Sequence, residues 1–139
     1  MRSVWMCALC LIMGLLGCSK GDSGPSSAEG SWAYTTSDGK VAVTFQLVKT
    51  SGGSLDIQNQ TYKLNGTSYE SAAVITGVAL PAIATIKINA NDAKITYPYD
   101  ITFNNIKVSS DFKRMDVADG SYSTPTGTTT LKAVAITRP

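Results

Sequence analysis

Cys18 is the residue of this chain best equipped for covalent chemistry, because a cysteine thiolate is a strong nucleophile. It follows the small Gly17 at the end of an apolar run, residues 4–16, which begins shortly after the positively charged Arg2. A positive start, an apolar stretch and a small residue before the cut site are the order of a secretory signal. The run is shorter than the roughly 20 residues that span a bilayer as a helix. Residues 1–17 are therefore predicted to be a removable signal-peptide helix.

The string Leu15-Leu16-Gly17-Cys18 resembles the lipobox of bacterial lipoproteins. The resemblance implies a diacylglyceryl group on the Cys18 thiol, cleavage before Cys18, and a further acyl chain such as palmitate on the new amino terminus. Several acyl chains, at about 0.8 kcal/mol for each buried CH₂, give stable anchoring where one chain is marginal. Cys18 is thus the expected lipidation site and a membrane the expected partner. The alternative is an ordinary secretory signal with an incidental cysteine.

The residues after Cys18 resemble lipoprotein sorting signals. Ser19 stands where inner-membrane retention in the lipoprotein sorting system would need Asp, which implies the outer membrane as the destination. The string Ser19-Lys20-Gly21-Asp22 also resembles the surface-export signal of Bacteroidota lipoproteins, with one acidic residue where that signal usually has more. The expected location is the outer membrane, lipid-anchored, with export to the cell surface as the further expectation.

Residues 18–29 are rich in Gly and Ser and contain Pro25, a composition typical of a flexible tether. From Gly30 onward the apolar residues recur with a period of two, as in Val41–Leu47, which is the mark of a half-buried strand. Residues 30–139 are therefore predicted to form a single β domain. With the signal removed, the mature chain has the size of one ordinary domain.

Turn signals divide this domain into short strands. They are Asp38-Gly39, Gly52-Gly53, Asn65-Gly66, Asn91-Asp92 and Asp119-Gly120. Strands at such spacing, with no segment of helical period, predict an all-β fold. We expect an antiparallel barrel of about eight strands, lipocalin-like, because closure removes exposed edges. A β-sandwich is the alternative.

Three segments depart from this regular pattern or are ambiguous. Tyr99, Ile101 and Phe103 share one face, but Ile106 and Val108 are out of phase with them, so a bulge at Asn104-Asn105 is predicted. Ile95-Thr96-Tyr97 is predicted to be a strand. Residues 72–84 are small and apolar and are interrupted by Gly77 and Pro81, which favours a strand followed by a loop over a short helix.

The composition excludes several kinds of site. The chain has no histidine, and its other cysteines, Cys7 and Cys10, lie within the predicted signal. Disulfides, His- or Cys-based metal and haem sites, and catalytic triads that need histidine are therefore excluded from the mature chain. Removal of the signal takes away Arg2 and leaves 11 basic and 10 acidic side chains without runs of one sign. We expect no nucleic-acid partner, no metal and no cofactor.

A pair of carboxylates is the remaining catalytic possibility, because glycoside hydrolysis needs two carboxyl groups about 5–10 Å apart. Most of the candidate aspartates lie at turns or beside Lys and Arg, where solvated aspartates normally occur. We therefore predict that the protein is not an enzyme. The candidates are Asp92, Asp100, Asp111, Asp116 and Asp119.

Gly30-Ser31-Trp32, at the start of the first strand, resembles the Gly-x-Trp motif of lipocalins and related calycin barrels. In that family the tryptophan plugs the closed end of the barrel, and a basic residue from the last strand stacks on it. Arg138 is the matching residue here. The resemblance implies an eight-stranded barrel that holds one small apolar ligand. The alternative is that Trp32 is simply a core aromatic residue.

Tyr97-Pro98-Tyr99 places two aromatic rings within three residues, and rings on one face can stack on a sugar. Tyr34, Tyr62, Tyr69 and Tyr122 are candidates to extend such a platform. Trp32, Tyr97 and Tyr99 are therefore the candidate ligand-binding residues. The expected function is non-catalytic binding of a small lipophilic ligand, and the alternative is a cell-surface interaction module, either a glycan binder or an accessory subunit of an envelope complex.

Overall fold

The computed structural model describes residues 27–93, 95 and 99–139. The predicted signal peptide, Cys18, most of the tether and Tyr97 lie outside the described residues. Nine antiparallel strands form one sheet that curls into a nearly closed barrel. The predicted antiparallel barrel is therefore confirmed, and the sandwich alternative is wrong. Within the described ranges, no helix has the length and apolar character needed to cross a membrane.

The strands follow one another around the barrel as a meander, in the order β4-β3-β2-β1-β9-β8-β7-β6-β5. Glu70 alone separates β4 from β5, so these two strands are one continuous run that pairs first with β3 and then with β6. With β4 and β5 counted together, the barrel wall has eight strand positions. Their bounds are β1 Gly30–Thr35, β2 Val41–Lys49, β3 Leu55–Leu64, β4 Thr67–Tyr69, β5 Ser71–Ala79, β6 Ala82–Ala90, β7 Asp100–Val108, β8 Arg114–Thr124 and β9 Gly127–Thr137.

The core lies inside the barrel and is made of large apolar side chains. Their alternation explains the strands, because inward positions such as Val41, Val43, Phe45 and Leu47 are at most 1% exposed. Every strand except β4 and β5 contributes buried side chains to this core. The largest fully buried ones are Trp32, Tyr62, Phe45, Phe103, Leu47, Ile83, Ile86, Ile88, Ile101, Ile106, Met115 and Ile136.

Tight turns connect most neighbouring strands, and three of the predicted turns are confirmed: Asp38-Gly39, Gly52-Gly53 and Asn65-Gly66. Asn65 and Gly66 both have positive φ, 51° and 81°, as a type I′ hairpin requires. The predicted turn at Asp119-Gly120 is wrong, since β8 runs straight through it. Gly120 is buried there, and a Cβ on it would collide with the carbonyl oxygen of Thr102 on β7.

Five of the strands change their inward phase along one transverse row, formed by Gly77, Ala84, Asn105, Ala118 and Ala133. The register sets these exposed residues side by side on β5 to β9. Three of them, Gly77, Asn105 and Ala133, have positive φ of 63°, 52° and 51°. A left-handed residue turns the pleat over, so the residues that face the core shift by one position. We call this line the phase row.

The predicted bulge at Asn104-Asn105 in β7 is wrong. The change of phase at Asn104-Asn105 is present, but the pairing with β6 and β8 keeps one register on both sides, so no extra residue is inserted. Asn105 restores the inward facing through its left-handed backbone instead of through a bulge.

Two other segments also differ from the sequence-based prediction. Residues 72–84 hold most of β5, a two-residue turn at Leu80-Pro81 and the start of β6, so a strand follows where a loop was predicted. Ile95 is not in a strand, because its backbone N–H donates to the carbonyl oxygen of Asp92 at 3.2 Å and closes a turn. The other residues of that predicted strand lie outside the described part.

Candidate functional site

Trp32 and Arg138 meet at one end of the barrel. The Arg138 guanidinium carbon lies 4.1 Å from the centroid of the Trp32 ring, a cation–π contact. The expected stacking of Arg138 on Trp32 is therefore present. Trp32 is fully buried, and its indole Nε1 donates a hydrogen bond of 2.9 Å to the carbonyl oxygen of Ala28. This ring is packed into the core and is not an exposed binding surface.

Arg138 also fastens the segment that leads into the first strand. Its Nη1 donates to the Glu29 carbonyl oxygen at 2.6 Å, and its Nη2 donates to the Ser27 carbonyl oxygen at 2.7 Å. Ala28 is 1% exposed, so the packed domain begins by Ser27, before the predicted boundary at Gly30. Burial lowers the pKa of Arg138. We call Ser27, Ala28, Glu29, Trp32 and Arg138 the clasp.

A second polar cluster lies at the opposite end of the barrel, around Asp38. Its carboxylate accepts hydrogen bonds from Thr36 Oγ1 at 2.6 Å, Tyr122 OH at 2.7 Å and the Lys40 backbone N–H at 3.0 Å. The bond from Thr36, with those from Lys40 and Tyr122, lowers the pKa of Asp38 to about 2. The hydrogen bond to Asp38 in turn raises the pKa of Tyr122. The cluster joins the β1–β2 turn to β8.

The tyrosines that the structure describes lie at or against the core, and Tyr97 of the expected platform lies outside the described residues. Tyr34, Tyr62, Tyr69 and Tyr122 face or pack against the core, and Tyr99 is half-buried against it. Tyr62 is fully buried, and its hydroxyl has no hydrogen-bond partner among the described residues. Burial, with nearby Asp100 and Tyr99, raises the pKa of Tyr62.

The candidate carboxylates are held by separate partners. Asp100 pairs with Lys87 at 3.3 Å, and Asp116 pairs with Arg114 at 2.8 Å. Asp111 accepts a bond of 2.6 Å from Ser109 Oγ in the loop between β7 and β8, which lowers its pKa. No group of three or more His, Cys, Asp or Glu side chains arranged to hold a metal ion occurs in the ranges that the structure describes.

The barrel wall has a seam between β3 and β5. These strands are joined at one end by Gln60 and Ser71, where Gln60 Nε2 donates to the Ser71 carbonyl oxygen at 2.9 Å and Ser71 Oγ donates to the Gln60 carbonyl oxygen at 3.2 Å. Beyond this point β5 pairs only with β6, and the first residues of β3 pair only with β2. The seam therefore leaves two strand edges that lie beside each other without a backbone ladder between them.

The two edges differ in how they are protected. On β3, the Ile57 backbone N–H donates to its neighbour Asp56 Oδ1 at 2.8 Å, and Asn59 has a positive φ of 49°. A charge and an irregular backbone both discourage strand addition. All nine residues of β5 are uncharged, and none is buried. Val74 on β5 is 55% exposed, and Leu80 in the turn that follows is 49% exposed.

The β5 edge was not recognised from the sequence, although a signal was present. Its nine residues, SAAVITGVA, are the longest uncharged strand segment in the domain that also lacks proline and buried positions. Uncharged apolar strands are usually central strands, so the composition alone indicates burial. Only the strand order places β5 at an edge. No family model, curated protein or solved structure matches this chain.

Proposed function

We propose that this protein is a lipoprotein anchored to the outer membrane through Cys18, and that its barrel is a non-catalytic interaction module. The partner is a protein that adds an extended strand to the β5 edge. Recognition by strand addition takes its affinity from main-chain hydrogen bonds and its specificity from alternate side chains. The anchor part of the proposal is supported by Leu15-Leu16-Gly17-Cys18 and the adjacent signal-like segment.

The observation that carries the proposal is the exposure of β5. The edge of β5 that lies beside β3 has no backbone ladder, and the strand has no charge and no proline, which are the properties that natural proteins avoid on edges that must stay unpaired. Val74 on β5 is the most exposed large apolar side chain of the described ranges. A protein partner explains why this edge is left unprotected while the facing β3 edge is capped.

The packed interior also favours contact through the surface. Trp32, Phe45, Phe103 and Met115 fill the barrel with side chains that are at most 1% exposed. A barrel whose interior is filled by its own side chains binds a partner through its outer wall or its ends.

Site-specific photocrosslinking in intact cells tests the proposal. A photoreactive amino acid at Val74 should give a discrete protein adduct, whereas the same group at Thr130, exposed on β9, should not. Thr76→Lys, which puts a charge on the exposed edge strand, should abolish the Val74 adduct, and Thr130→Lys should leave it unchanged. Equal adducts at both positions, or an adduct indifferent to Thr76→Lys, would contradict binding through β5.

A second candidate function is the holding of a small lipophilic molecule within the barrel. It is favoured by the stacking of Arg138 on Trp32, which is the arrangement that the resemblance to lipocalins implies. The buried Tyr62 hydroxyl, which has no partner among the described residues, offers one polar group for such a ligand. A reproducible small-molecule mass on the protein extracted from its own membrane would favour this function over strand addition.

A further inference from the structure

The clasp fixes which end of the barrel the N-terminal segment leaves from. Gly30 on β1 pairs with Leu47 at the end of β2, and Thr137 near the chain terminus pairs with Arg114 at the start of β8. The turn after β5 lies at this same end, because Ala82 pairs with Lys107 near the end of β7. We call this the clasp end. The opposite, far end holds the Asp38 cluster and the β8–β9 turn with Thr126.

The distance between the clasp end and a lipid on Cys18 is limited. Residues 18–26 separate the acylated position from Ser27, whose carbonyl oxygen is held by Arg138 at 2.7 Å. Nine residues reach at most about 30 Å when fully extended. Because the clasp holds Ser27 at its own end of the barrel, that end lies no farther than this reach from the acylated position.

The clasp end presents an apolar tip. Leu80 is 49% exposed in the two-residue turn between β5 and β6. The Val108 backbone N–H donates to the Pro81 carbonyl oxygen at 2.8 Å and holds this turn beside the β7–β8 loop. That loop carries exposed Lys113 and is followed by Arg114, whose side chain is 57% exposed. An apolar side chain beside long cationic ones is typical of residues that sit at a membrane interface.

The charges at the clasp end do not by themselves select an anionic bilayer. Asp111 lies in the same loop as Lys113, and Asp116 pairs with Arg114 at 2.8 Å. The attraction to the surface must therefore come from the acyl anchor and from apolar contact, and it should not need anionic lipid.

We propose that the clasp end faces the bilayer and that Leu80 touches it, so that the far end points away from the membrane. This proposal rests on the lipid anchor proposed above. It assigns the clasp a purpose, because Arg138 then sets the orientation of the barrel as well as closing it. The β5 edge would run from the membrane surface outward, which leaves its length open to a partner.

Quenching by brominated phosphatidylcholine tests this orientation. The lipidated full chain is placed in liposomes with an environment-sensitive dye on Leu80→Cys or, as the matched control, on Thr126→Cys at the far end. The Cys18 thiol is blocked by lipid in the mature chain, so each new cysteine is the labelled one. We expect strong quenching and a blue shift at position 80 and neither at position 126.

The outcomes separate the orientation from the anchor. Flotation with the liposomes and equal quenching at both positions would overturn the orientation while leaving the anchor intact. Failure to float would overturn the anchor, and the orientation with it. Insertion of a long Gly-Ser linker between residues 26 and 27 leaves the clasp in place and removes the length limit. Quenching at position 80 should then fall towards the level at position 126, and unchanged quenching would overturn the role of tether length.

Discussion

Single side chains secure both ends of the barrel. Arg138 satisfies three backbone carbonyls, those of Ser27, Glu29 and Phe112, and covers the Trp32 ring. At the far end, Asp38 collects three hydrogen bonds, one of them from a residue 84 positions away. Hydrogen bonds to charged groups are stronger than those between neutral groups. The ends of the barrel therefore depend on two charged residues.

Replacement of Arg138 tests the clasp. Arg138→Gln removes a charge that lies over Trp32 and leaves carbonyl oxygens of the clasp without their donors. We expect the free energy of unfolding to fall by about 1–3 kcal/mol, measured by urea denaturation. Arg114→Gln is the matched control, and its loss should stay below about 1 kcal/mol because the pair with Asp116 is exposed. Equal effects of the two substitutions would contradict a structural role for the clasp.

The Asp38 cluster predicts a pH dependence. The pKa of this carboxyl is lowered from 3.8 to about 2 in the folded chain, so its contribution to stability is complete above the unfolded value and is lost as pH falls towards 2. Asp38→Asn should flatten this acid-side loss of stability, and Tyr122→Phe should reduce it in part by removing one hydrogen bond. A wild-type and an Asp38→Asn protein with parallel stability curves from pH 4 to 2 would contradict the assignment.

At the scale of strands, glycine and left-handed residues shape the barrel. Gly120 lets β8 approach β7 at a buried position, and the phase row lets five strands change which residues face the core. The row also leaves a shallow groove of about 350 Å³ on the outer wall, lined in part by Ala118 and Ala133. Glycine is required at position 77 of the row, since a Cβ there would collide with that of Ala84.

Gly120→Ala is the direct test of the close approach between β7 and β8. The added Cβ meets the backbone oxygen of Thr102, which cannot move without disturbing the sheet. Overpacking of this kind costs about 1–3 kcal/mol, and thermal unfolding should show the loss. Gly52→Ala, whose Cβ would meet nothing nearer than Thr50 Oγ1 at 3.9 Å, should be close to neutral. A neutral Gly120→Ala would mean that the strands are farther apart than described.

Period-two alternation and turn chemistry predicted most strands because each is a local property of the chain. Residues 101, 103, 106 and 108 also revealed the change of phase in β7. Alternation shows that the inward face changes, but it does not distinguish an inserted residue from a residue with a left-handed backbone. The sequence therefore predicts a bulge, whereas the left-handed backbone of Asn105 produces the change of face. Gly120 was misread for a related reason: glycine serves both tight turns and close packing, and only the neighbouring strand decides between them.

The candidate sites were predictable to different degrees. The contact of Arg138 with Trp32 was expected from a family resemblance, not from local pattern. The bond between Asp38 and Tyr122 joins positions far apart in the chain, and neither carries a local signal. The free edge of β5 depends on strand order, which alternation does not determine.

At the scale of the whole molecule, we propose a packed barrel that is held near a membrane and binds its partner through its outer wall. Its interior is filled, its ends are fastened by Arg138 and Asp38, and its wall opens at one uncharged edge, β5. The proposed anchor would confine the protein to a surface and so raise its effective concentration towards partners in the same membrane. A modest strand-addition contact would then be sufficient for the proposed function.

Native mass spectrometry of the protein gently extracted from its own membrane tests this proposal most directly. We predict a chain of residues 18–139 that carries acyl groups on Cys18 and is accompanied by a partner protein, while Cys18→Ala leaves an unacylated precursor. An unacylated wild-type chain would contradict the anchor. An acylated chain that carries a small lipophilic molecule and no protein would contradict the interaction module.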